Sequence, residues 1–311
     1  MKIAFVFPGQ GSQSVGMMSG YDGMAPVLDT FEQAKSLIGE DLWAMAQDGP
    51  AETLNQTTNT QPLMLVSGVA VFRAWIAAGG RYPDMFAGHS LGEYSALVAT
   101  DSMRFEDALP LVRYRAECMQ EAVPAGSGAM AAVLGLDDDG VRAACAEASS
   151  NGEVAEAANF NAPGQVVVAG QKAAVERAVN AAKERGAKRA MLLPMSAPSH
   201  CSLMRPASEL LAQRLGEVSL SMPRAPVIHN ESVNSASDVG ELRQSLVRQL
   251  HRPVRWAETV RYLIDTGVTH IVECGPGKVL AGLNRRIGGE VQTIALTDKA
   301  ALENAVTTLK E

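Results

Sequence analysis

The 311-residue sequence has few cysteines, no long apolar run and no leader pattern. Its four cysteines form no C-x-x-C pair and lie in no histidine-rich spacing, so we expect reduced thiols and neither a metal site nor a disulfide framework. No stretch approaches the roughly 18 apolar residues of a membrane span, because the run 63–72 soon meets Arg73. The apolar start ends at Phe7 without a small-residue cleavage site, which predicts a buried strand and a cytoplasmic protein with no membrane contact.

The sequence also lacks an excess of positive charge, an internal repeat and a low-complexity tract. A formal net charge of −7 gives no general attraction for nucleic acid or an anionic membrane, although a local basic patch could bind an acidic partner. With 47% hydrophobic residues, the chain is long enough for one large domain and a smaller one.

Strand and helix patterns alternate through both ends of the chain, which is typical of a parallel α/β sheet. Strands are predicted at 3–7, 85–87, 226–229 and 269–273, and helices at 31–47, 62–78, 93–99, 105–122 and 202–215. Further helices are predicted around Leu242 and Tyr262. A glycine turn at 275–277 then opens a helix to about Ile287, and a last strand and helix follow.

The middle of the chain has the order βαββαβ, which is typical of a ferredoxin-like unit. Its strands are predicted at 129–136, 154–160, 166–169 and 188–193, and its helices at 137–149 and 173–185. We therefore expect an α/β-hydrolase-like parallel-sheet core from 1–125 and 195–311, with an inserted ferredoxin-like subdomain at 126–194.

The segment Gly88, His89, Ser90, Leu91, Gly92 is a G-x-S-x-G pattern between a predicted strand and a predicted helix. A serine on such a sharp turn exposes its hydroxyl, and the flanking glycines let neighbouring backbone approach closely. Backbone N–H groups and the helix N-terminus can then stabilise oxyanion charge. The pattern predicts a nucleophile at Ser90, and a serine in an ordinary glycine-rich turn is the alternative.

A serine nucleophile needs a base, and histidine is best suited to take and return the proton. The five candidates are His89, His200, His229, His251 and His270. His89 should point away from the face that Ser90 uses, and His270 falls inside a predicted strand. The pattern favours His200, in a loop at a helix start, only modestly, and a solvated capping histidine there is equally compatible.

Arg115 interrupts an apolar stripe on the predicted helix 105–122. Because an unpaired buried cation is costly, Arg115 either pairs with an internal carboxylate or receives a carboxylate from a substrate.

The loop Gly9, Gln10, Gly11 is not a nucleotide motif, since it lacks the third glycine and a Walker lysine. It can instead donate the Gln10 N–H to an oxyanion hole with Leu91, although a plain connecting turn would look the same.

Six segments in order, GQGSQ, GHSLGEYSAL, LVRYRAECMQEAVP, NFNAPGQVVVAG, PSH and GPGKVL, closely resemble the malonyl-CoA:acyl carrier protein transacylases of bacterial type II fatty acid synthesis. The resemblance covers nearly the whole chain. It implies transfer of malonyl from malonyl-CoA to the phosphopantetheine thiol of acyl carrier protein by a ping-pong mechanism, without a metal or redox cofactor. It is shared with the acyltransferases that supply polyketide synthases.

The resemblance also implies a role for individual residues. Ser90 is the acylated nucleophile, His200 its base, and Gln10 and Leu91 the donors to the oxyanion. Arg115 binds the malonyl carboxylate, and the backbone carbonyl of Gln249 orients the imidazole in place of an acidic triad member. Asn159 and Asn161 resemble residues near the substrate cleft, with turn formation as their alternative, and Ser199 and Met119 are candidates for shaping the pocket.

The acidic carrier of this family leads us to expect a basic surface, for which the candidates are Lys188, Arg189, Lys278, Arg285 and Arg286. Solvated surface charge is the simpler alternative for each. Three other functions remain open: an acyltransferase of a polyketide or malonate-decarboxylase system, a serine hydrolase or thioesterase, and a non-catalytic carrier-binding protein. We expect a monomer.

Overall fold

The structure, a computed structural model, describes residues 1–150, 152–195 and 197–310. Its strands are β1 (Ile3–Phe7), β2 (Met85–Gly88), β3 (Gly128–Leu134), β4 (Ala155–Ala162), β5 (Gln165–Gln171), β6 (Arg189–Leu192), β7 (Val227–Ile228), β8 (His270–Cys274) and β9 (Gln292–Leu296). Its helices are α1 (Ala25–Ile38), α2 (Leu42–Asp48), α3 (Ala51–Leu54), α4 (Thr57–Ala77), α5 (Gly92–Ala99), α6 (Phe105–Glu121), α7 (Asp138–Ala148), α8 (Lys172–Glu184), α9 (Arg205–Glu217), α10 (Val239–Gln249), α11 (Trp256–Asp265), α12 (Val279–Ile287) and α13 (Lys299–Thr308).

Five strands form a parallel sheet in the order β7-β2-β1-β8-β9, which confirms the expected α/β class. Side chains of a strand alternate between the two faces of its sheet. Phe5 and Phe7 of β1 accordingly pack into the large cluster that contains α4, α5 and α6. Ala4 and Val6 face the opposite way, towards α11 and α12. Helices therefore cover both faces, and the carboxyl ends of the strands form the edge where such sheets hold their ligands.

The other four strands form an antiparallel sheet in the order β4-β5-β3-β6. With α7 and α8 packed on one face, this is the ferredoxin-like arrangement that the βαββαβ pattern predicts. All four strands fall between Gly128 and Leu192, and the exact boundaries at 126 and 194 remain a prediction. The edge strand β4 is joined to the core, because Phe160 N–H donates to the Val254 carbonyl and Val254 N–H donates to the Ala158 carbonyl, each at 2.9 Å.

Two helices differ from the sequence prediction for local reasons. The single helix predicted at 31–47 is in fact α1 and α2, because Gly39 takes a left-handed conformation with φ 73° and ends α1. The Asp41 side chain then accepts the Ala44 N–H and begins α2. The predicted helix 202–215 opens with a short 3-10 turn, Ser202–Met204, before α9.

Helix α4 is longer and more apolar than expected. Its 21 residues are enough for a membrane span by length and composition alone. However, most of the helix is buried inside the protein, where it packs against α1, α5 and α6. In this structure α4 is a helix of the hydrophobic core.

Candidate active site

Ser90 lies in the turn between β2 and α5, at the carboxyl edge of the parallel sheet. Its φ of 53° is left-handed, a conformation that is strained for a side chain other than glycine. A Cβ at Gly88 would lie 1.9 Å from the Gly92 carbonyl carbon, and a Cβ at Gly92 would lie 2.0 Å from the Phe7 oxygen. Both glycines are therefore required by close backbone approach, as the G-x-S-x-G pattern predicts.

The base predicted at His200 is within hydrogen-bond distance of the nucleophile. Its Nε2 lies 2.7 Å from Ser90 Oγ, and its Nδ1 lies 2.8 Å from the Gln249 carbonyl oxygen. A carbonyl oxygen only accepts, so Nδ1 carries the proton and Nε2 of the neutral ring accepts from the serine hydroxyl. This arrangement can remove the Ser90 proton without an acidic third residue.

The imidazole is held neutral by its surroundings. His200 is 3% exposed, and burial together with the positive charge of Arg115 lowers its pKa from 6.5 to about 3. The Gln249 carbonyl acts in the opposite direction, because it stabilises the Nδ1 proton. A neutral ring is the form that can accept the serine proton, so the site is ready for base catalysis over the whole neutral range.

Arg115 of α6 is 1% exposed, and its direct partners are neutral. Nη1 lies 2.5 Å from Gln61 Oε1, while Nη2 lies 2.9 Å from Gln249 Oε1 and 3.3 Å from Ser90 Oγ. Among the ion pairs of the described residues none involves Arg115, which leaves its charge without a carboxylate in contact. A cation so placed, beside the nucleophile, can receive a carboxylate from a bound acyl group.

The loop after β1 packs directly on the elbow. A Cβ at Gly9 would lie 2.4 Å from the His89 carbonyl oxygen and 3.7 Å from the Leu91 nitrogen. The Ser90 N–H is already used, since it donates to Asn230 Oδ1 at 2.7 Å. Within the described ranges, the N–H groups of Gln10 and Leu91 have no hydrogen-bond acceptor. These two amides at the cavity wall are therefore available to an oxyanion.

A cavity of about 550 Å³ opens above Ser90, between the two sheets. Its walls include every residue predicted for the substrate pocket: Gln10, Leu91, Arg115, Met119, Asn159, Asn161, Ser199 and His200.

Asn161 Oδ1 lies 2.8 Å from Nε2 of His89, which also lines the wall and packs against Trp256. The Asn161 side chain therefore has a protein partner at the cavity surface. The sequence predicts that His89 points away from the site. In the structure its Nε2 contacts Asn161, yet His89 contributes to the wall.

The sequence prediction missed three polar residues of the site: Gln61, Glu93 and Asn230. Gln61 of α4 is 2% exposed and contacts Arg115, and Asn230 holds the Ser90 N–H. Glu93 is fully buried beneath the elbow, where His229 Nδ1 lies 2.5 Å from its Oε1. Glu93 could have been found as Arg115 was, because it too is a charged residue in a helix of otherwise uncharged, mainly apolar residues.

Comparison with known proteins agrees with this geometry. Residues 4–297 match the family model described as "Acyl transferase domain". A malonyl CoA-acyl carrier protein transacylase of Salmonella typhimurium is 50% identical over 98% of this chain and 99% of its own. An acyl-carrier-protein S-malonyltransferase structure from Burkholderia pseudomallei 1710b has a TM-score of 0.97 and 54% identity, covering 99% of this chain and 100% of that one.

A third relative was solved as a malonyl-transacylase in complex with its type II PKS acyl-carrier protein. It is 46% identical, with a TM-score of 0.97 and coverage of 99% of this chain and 100% of that one. The chain belongs to the acyl transferase domain family. The enzyme class and the family resemblance predicted from the sequence are thereby confirmed.

Proposed function

We propose that this protein transfers a malonyl group from malonyl-CoA to the phosphopantetheine thiol of an acyl carrier protein, for fatty acid synthesis. The observation that carries the proposal is the buried Arg115 guanidinium, which lies 3.3 Å from Ser90 Oγ and has only neutral partners in contact. An acyl group on Ser90 that ends in a carboxylate would supply the missing negative charge. The names of the full-length relatives point to the same substrate.

In the first half-reaction, Ser90 Oγ attacks the thioester carbonyl carbon while His200 Nε2 takes the hydroxyl proton. The N–H groups of Gln10 and Leu91 donate to the oxyanion. The carbon–sulfur bond then breaks, and His200 returns its proton to the departing CoA thiolate. The products are free CoA and a malonyl ester on Ser90.

In the second half-reaction, His200 takes the proton of the carrier's pantetheine thiol, and the sulfur attacks the ester carbonyl. The ester bond to Ser90 breaks, and the proton passes from His200 to Ser90 Oγ. Ser90, His200, Arg115 and two backbone amides supply every group that these steps need, so we include no cofactor in the proposal. A monomer is part of the same proposal, since one chain contributes all of these groups. We also propose a location in the cytoplasm.

Asn161 and Met119 belong to the walls in this scheme. Met119 lines the cavity, and its Sδ lies 3.5 Å from the amide nitrogen of Gln61, the residue that also contacts Arg115. We therefore place the malonyl α-carbon beside Met119. Asn161 holds His89 at the cavity wall. We infer that both limit the shape of the acyl group and take no part in proton transfer.

We place a carrier-binding surface, which we call the basic surface, on three of the five basic candidates, the exposed Lys188, Arg189 and Arg286. Arg189 and Gln165 both pair with Leu134 of β3, and Arg286 of α12 donates to the Gln165 side chain. The β3 face that carries Leu134 also carries Met130, a cavity residue about 13 Å away along the strand. Arg285 adjoins Arg286 on α12, whereas Lys278 lies at the opposite end of that helix.

The test follows the malonyl group to its destination. Labelled malonyl-CoA and phosphopantetheinylated carrier protein are mixed with the wild type and with Ser90→Ala, and malonyl-carrier is separated from free malonate. We expect malonyl-carrier from the wild type and none above background from Ser90→Ala. Free malonate as the main product would contradict the proposal in favour of a hydrolase.

The one competing assignment with an observation behind it is an acyltransferase that serves a polyketide carrier, because the PKS-associated relative is nearly as similar as the others. Rates with a fatty acid carrier and a type II polyketide carrier in competition decide between them. A preference for the polyketide carrier would move the enzyme to that system and leave the chemistry unchanged.

A further inference from the structure

A buried carboxylate that the acyl-transfer steps do not use lies beneath the elbow. Glu93, in the first turn of α5, is fully buried, and both of its oxygens are engaged. His229 Nδ1 lies 2.5 Å from Oε1, and Gln249 Nε2 lies 2.7 Å from Oε2. The Asn230 backbone N–H also donates to Oε2, at 3.2 Å. A carboxylate held this completely is costly to bury and requires these donors.

Gln249 connects Glu93 to the three reacting groups. Its Nε2 donates both to Glu93 and to the Ser90 carbonyl oxygen, the latter at 3.0 Å. Its Oε1 accepts from Arg115 Nη2, and its backbone carbonyl accepts from His200 Nδ1. The side-chain amide therefore contacts Arg115 and the Ser90 backbone, whereas the backbone carbonyl contacts the base.

Glu93, together with the Ser90 carbonyl oxygen, determines which way the Gln249 amide faces. Turning a glutamine amide by 180° exchanges its oxygen and its NH2 group at almost no steric cost. An ionised carboxylate can only accept, so it admits only the orientation with the NH2 group towards it. The oxygen then faces Arg115. The reverse orientation would place an NH2 group against the guanidinium and an oxygen against the carboxylate, and both contacts would be repulsive.

Glu93 also balances the charge of Arg115 without binding it directly. Burial lowers the pKa of the Arg115 guanidinium, and the nearby Tyr94 and Glu93 act in the opposite direction. A direct ion pair would occupy the guanidinium N–H groups that a substrate carboxylate needs. With the Gln249 amide between the two charges, Glu93 can support the cation and leave it available.

We propose that Glu93 and its partner His229 are positioning residues, which fix the orientation of the Gln249 amide and thereby aim the Arg115 guanidinium at the carboxylate of the acyl group. The inference rests on the proposed function, because it assumes that Arg115 receives a malonyl carboxylate. It adds that selection of a carboxylated acyl group depends on a residue that never touches the substrate. The His200 base, held by backbone, does not depend on the amide orientation.

The test is Glu93→Gln, which keeps the side-chain volume but lets residue 93 offer either an oxygen or an NH2 group to Gln249. Rates of acyl-enzyme formation are measured with malonyl-CoA and with acetyl-CoA, which has no carboxylate for Arg115. We expect the malonyl rate to fall about tenfold, the usual effect of losing a hydrogen bond to a charged group, and the acetyl rate to change much less. Equal loss for both substrates, or an unchanged ratio, would overturn the proposal.

The matched control is Glu273→Gln, which also converts a buried acid to an amide. Because burial raises the pKa of Glu273 to about 7, the variants are assayed at pH 8, where this side chain too is mainly a carboxylate. Glu273 accepts the backbone N–H groups of Leu280 and Ala281, at 3.1 and 2.7 Å, so its loss should weaken the start of α12 without altering the malonyl-to-acetyl ratio. A similar drop in the ratio for this control would show that any buried-charge loss has the effect, and would also overturn the proposal.

A second pair of variants decides the matter if Glu93→Gln does not fold. His229→Asn keeps an N–H donor near the Nδ1 position, whereas His229→Leu removes it. We expect the leucine variant to lose malonyl preference and the asparagine variant to retain it; the same ratio in both would refute the inference. A wild type that forms no malonyl-enzyme at all would instead refute the proposed function, so the two failures are distinguishable.

Discussion

Ser90 and His200, the two residues that exchange a proton in the proposed reaction, share an uncommon backbone conformation. Their φ angles are 53° and 62°, both in the left-handed region that side chains other than glycine rarely adopt. A hydrogen bond from the backbone N–H holds each residue in this conformation. The Ser90 N–H donates to Asn230 Oδ1, and the His200 N–H donates to the Leu250 carbonyl oxygen. Such strain persists only where surrounding contacts enforce it, and here the result is the 2.7 Å contact between the two side chains.

The low pKa of His200 predicts an unusual pH dependence for acylation. Because burial and Arg115 lower the pKa to about 3, the base should remain neutral well below pH 6.5. The single-turnover rate of acylation by malonyl-CoA should therefore stay nearly constant from pH 8 to pH 5. A histidine of ordinary pKa would lose about 30-fold over the same range.

Stopped-flow or quenched-flow measurement of CoA release checks this profile, and a decline with a midpoint near 6.5 would contradict it.

The pH dependence of folding stability should differ from that of the acylation rate. Below pH 6.5 the unfolded chain binds a proton at this position and the folded chain does not, so His200 makes folding less favourable as the pH falls towards 3. Activity per folded molecule and the fraction folded must therefore be measured separately.

Single residues were predictable from the sequence where a local pattern was broken. Arg115 stands out as a charge in an apolar helical stripe, and Ser90 as part of a glycine-flanked turn between a strand and a helix. Asn230 gives no such signal, because its role depends on a hydrogen bond to Ser90, 140 positions away in the chain. The choice among the histidines needed the family resemblance, because the local pattern favours His200 only modestly. In the structure His229 is also buried, but its Nδ1 contacts Glu93.

At the scale of elements, the elbow depends on how closely β1, β2 and α5 approach one another. Gly92 begins α5, and a Cβ there would overlap the Phe7 carbonyl oxygen of β1 at 2.0 Å. Neither backbone can move without disturbing the sheet. We therefore expect Gly92→Ala to lower the free energy of unfolding by about 3 kcal/mol, at the upper end of overpacking effects.

Gly282 of α12 provides the matched control, since a Cβ there meets no atom within 4 Å. Gly282→Ala should raise the free energy of unfolding by about 0.5–1 kcal/mol, because alanine loses less conformational entropy in a helix. Urea denaturation of the two variants checks both values. Equal effects of the two substitutions would mean that the backbone near Gly92 gives way more easily than the structure indicates.

Most elements could be predicted from periodicity and turn residues, and their order gave both sheets. The errors lie where one residue outweighs a continuous pattern. The apolar spacing across 31–47 suggests one helix, but Gly39 and the Asp41 cap divide it. The strand predicted at 226–229 is only Val227–Ile228, because pairing with β2 covers just two residues of this edge strand.

At the scale of the whole molecule, the site lies between the two sheets. Each sheet contains strands from both the first and the second half of the sequence. The nucleophile and the cation come from the parallel-sheet core, while Met130, Asn161 and Val167 of the smaller sheet complete the wall. Which face of the smaller sheet turns to the core could not be predicted from βαββαβ order alone. That orientation is set by the pairing of β4 with Val254 and by burial of Ala158 and Ala169 against Cys201.

The basic surface makes a prediction at this scale. Replacing Lys188, Arg189 and Arg286 together with alanine should raise the KM for an acidic carrier about tenfold at low salt and less at high salt, since exposed charges act through screened electrostatics. The rate of acylation by malonyl-CoA should be unaffected. Arg214→Ala, an exposed arginine on α9 paired with Glu217, is the control. An unchanged KM for the triple variant would remove the carrier from this surface.

The central claim is that Ser90 carries a malonyl group chosen by Arg115. The most direct test is intact-protein mass after brief mixing of malonyl-CoA or acetyl-CoA with the wild type, Ser90→Ala and Arg115→Ala, followed by peptide mapping. We predict one malonyl adduct on Ser90 of the wild type and none on Ser90→Ala. Formation of the malonyl adduct should slow about 100-fold in Arg115→Ala, as when a buried charge pair is broken, with acetyl spared. A wild type without an adduct, or an Arg115→Ala variant that still prefers malonyl, would contradict the account.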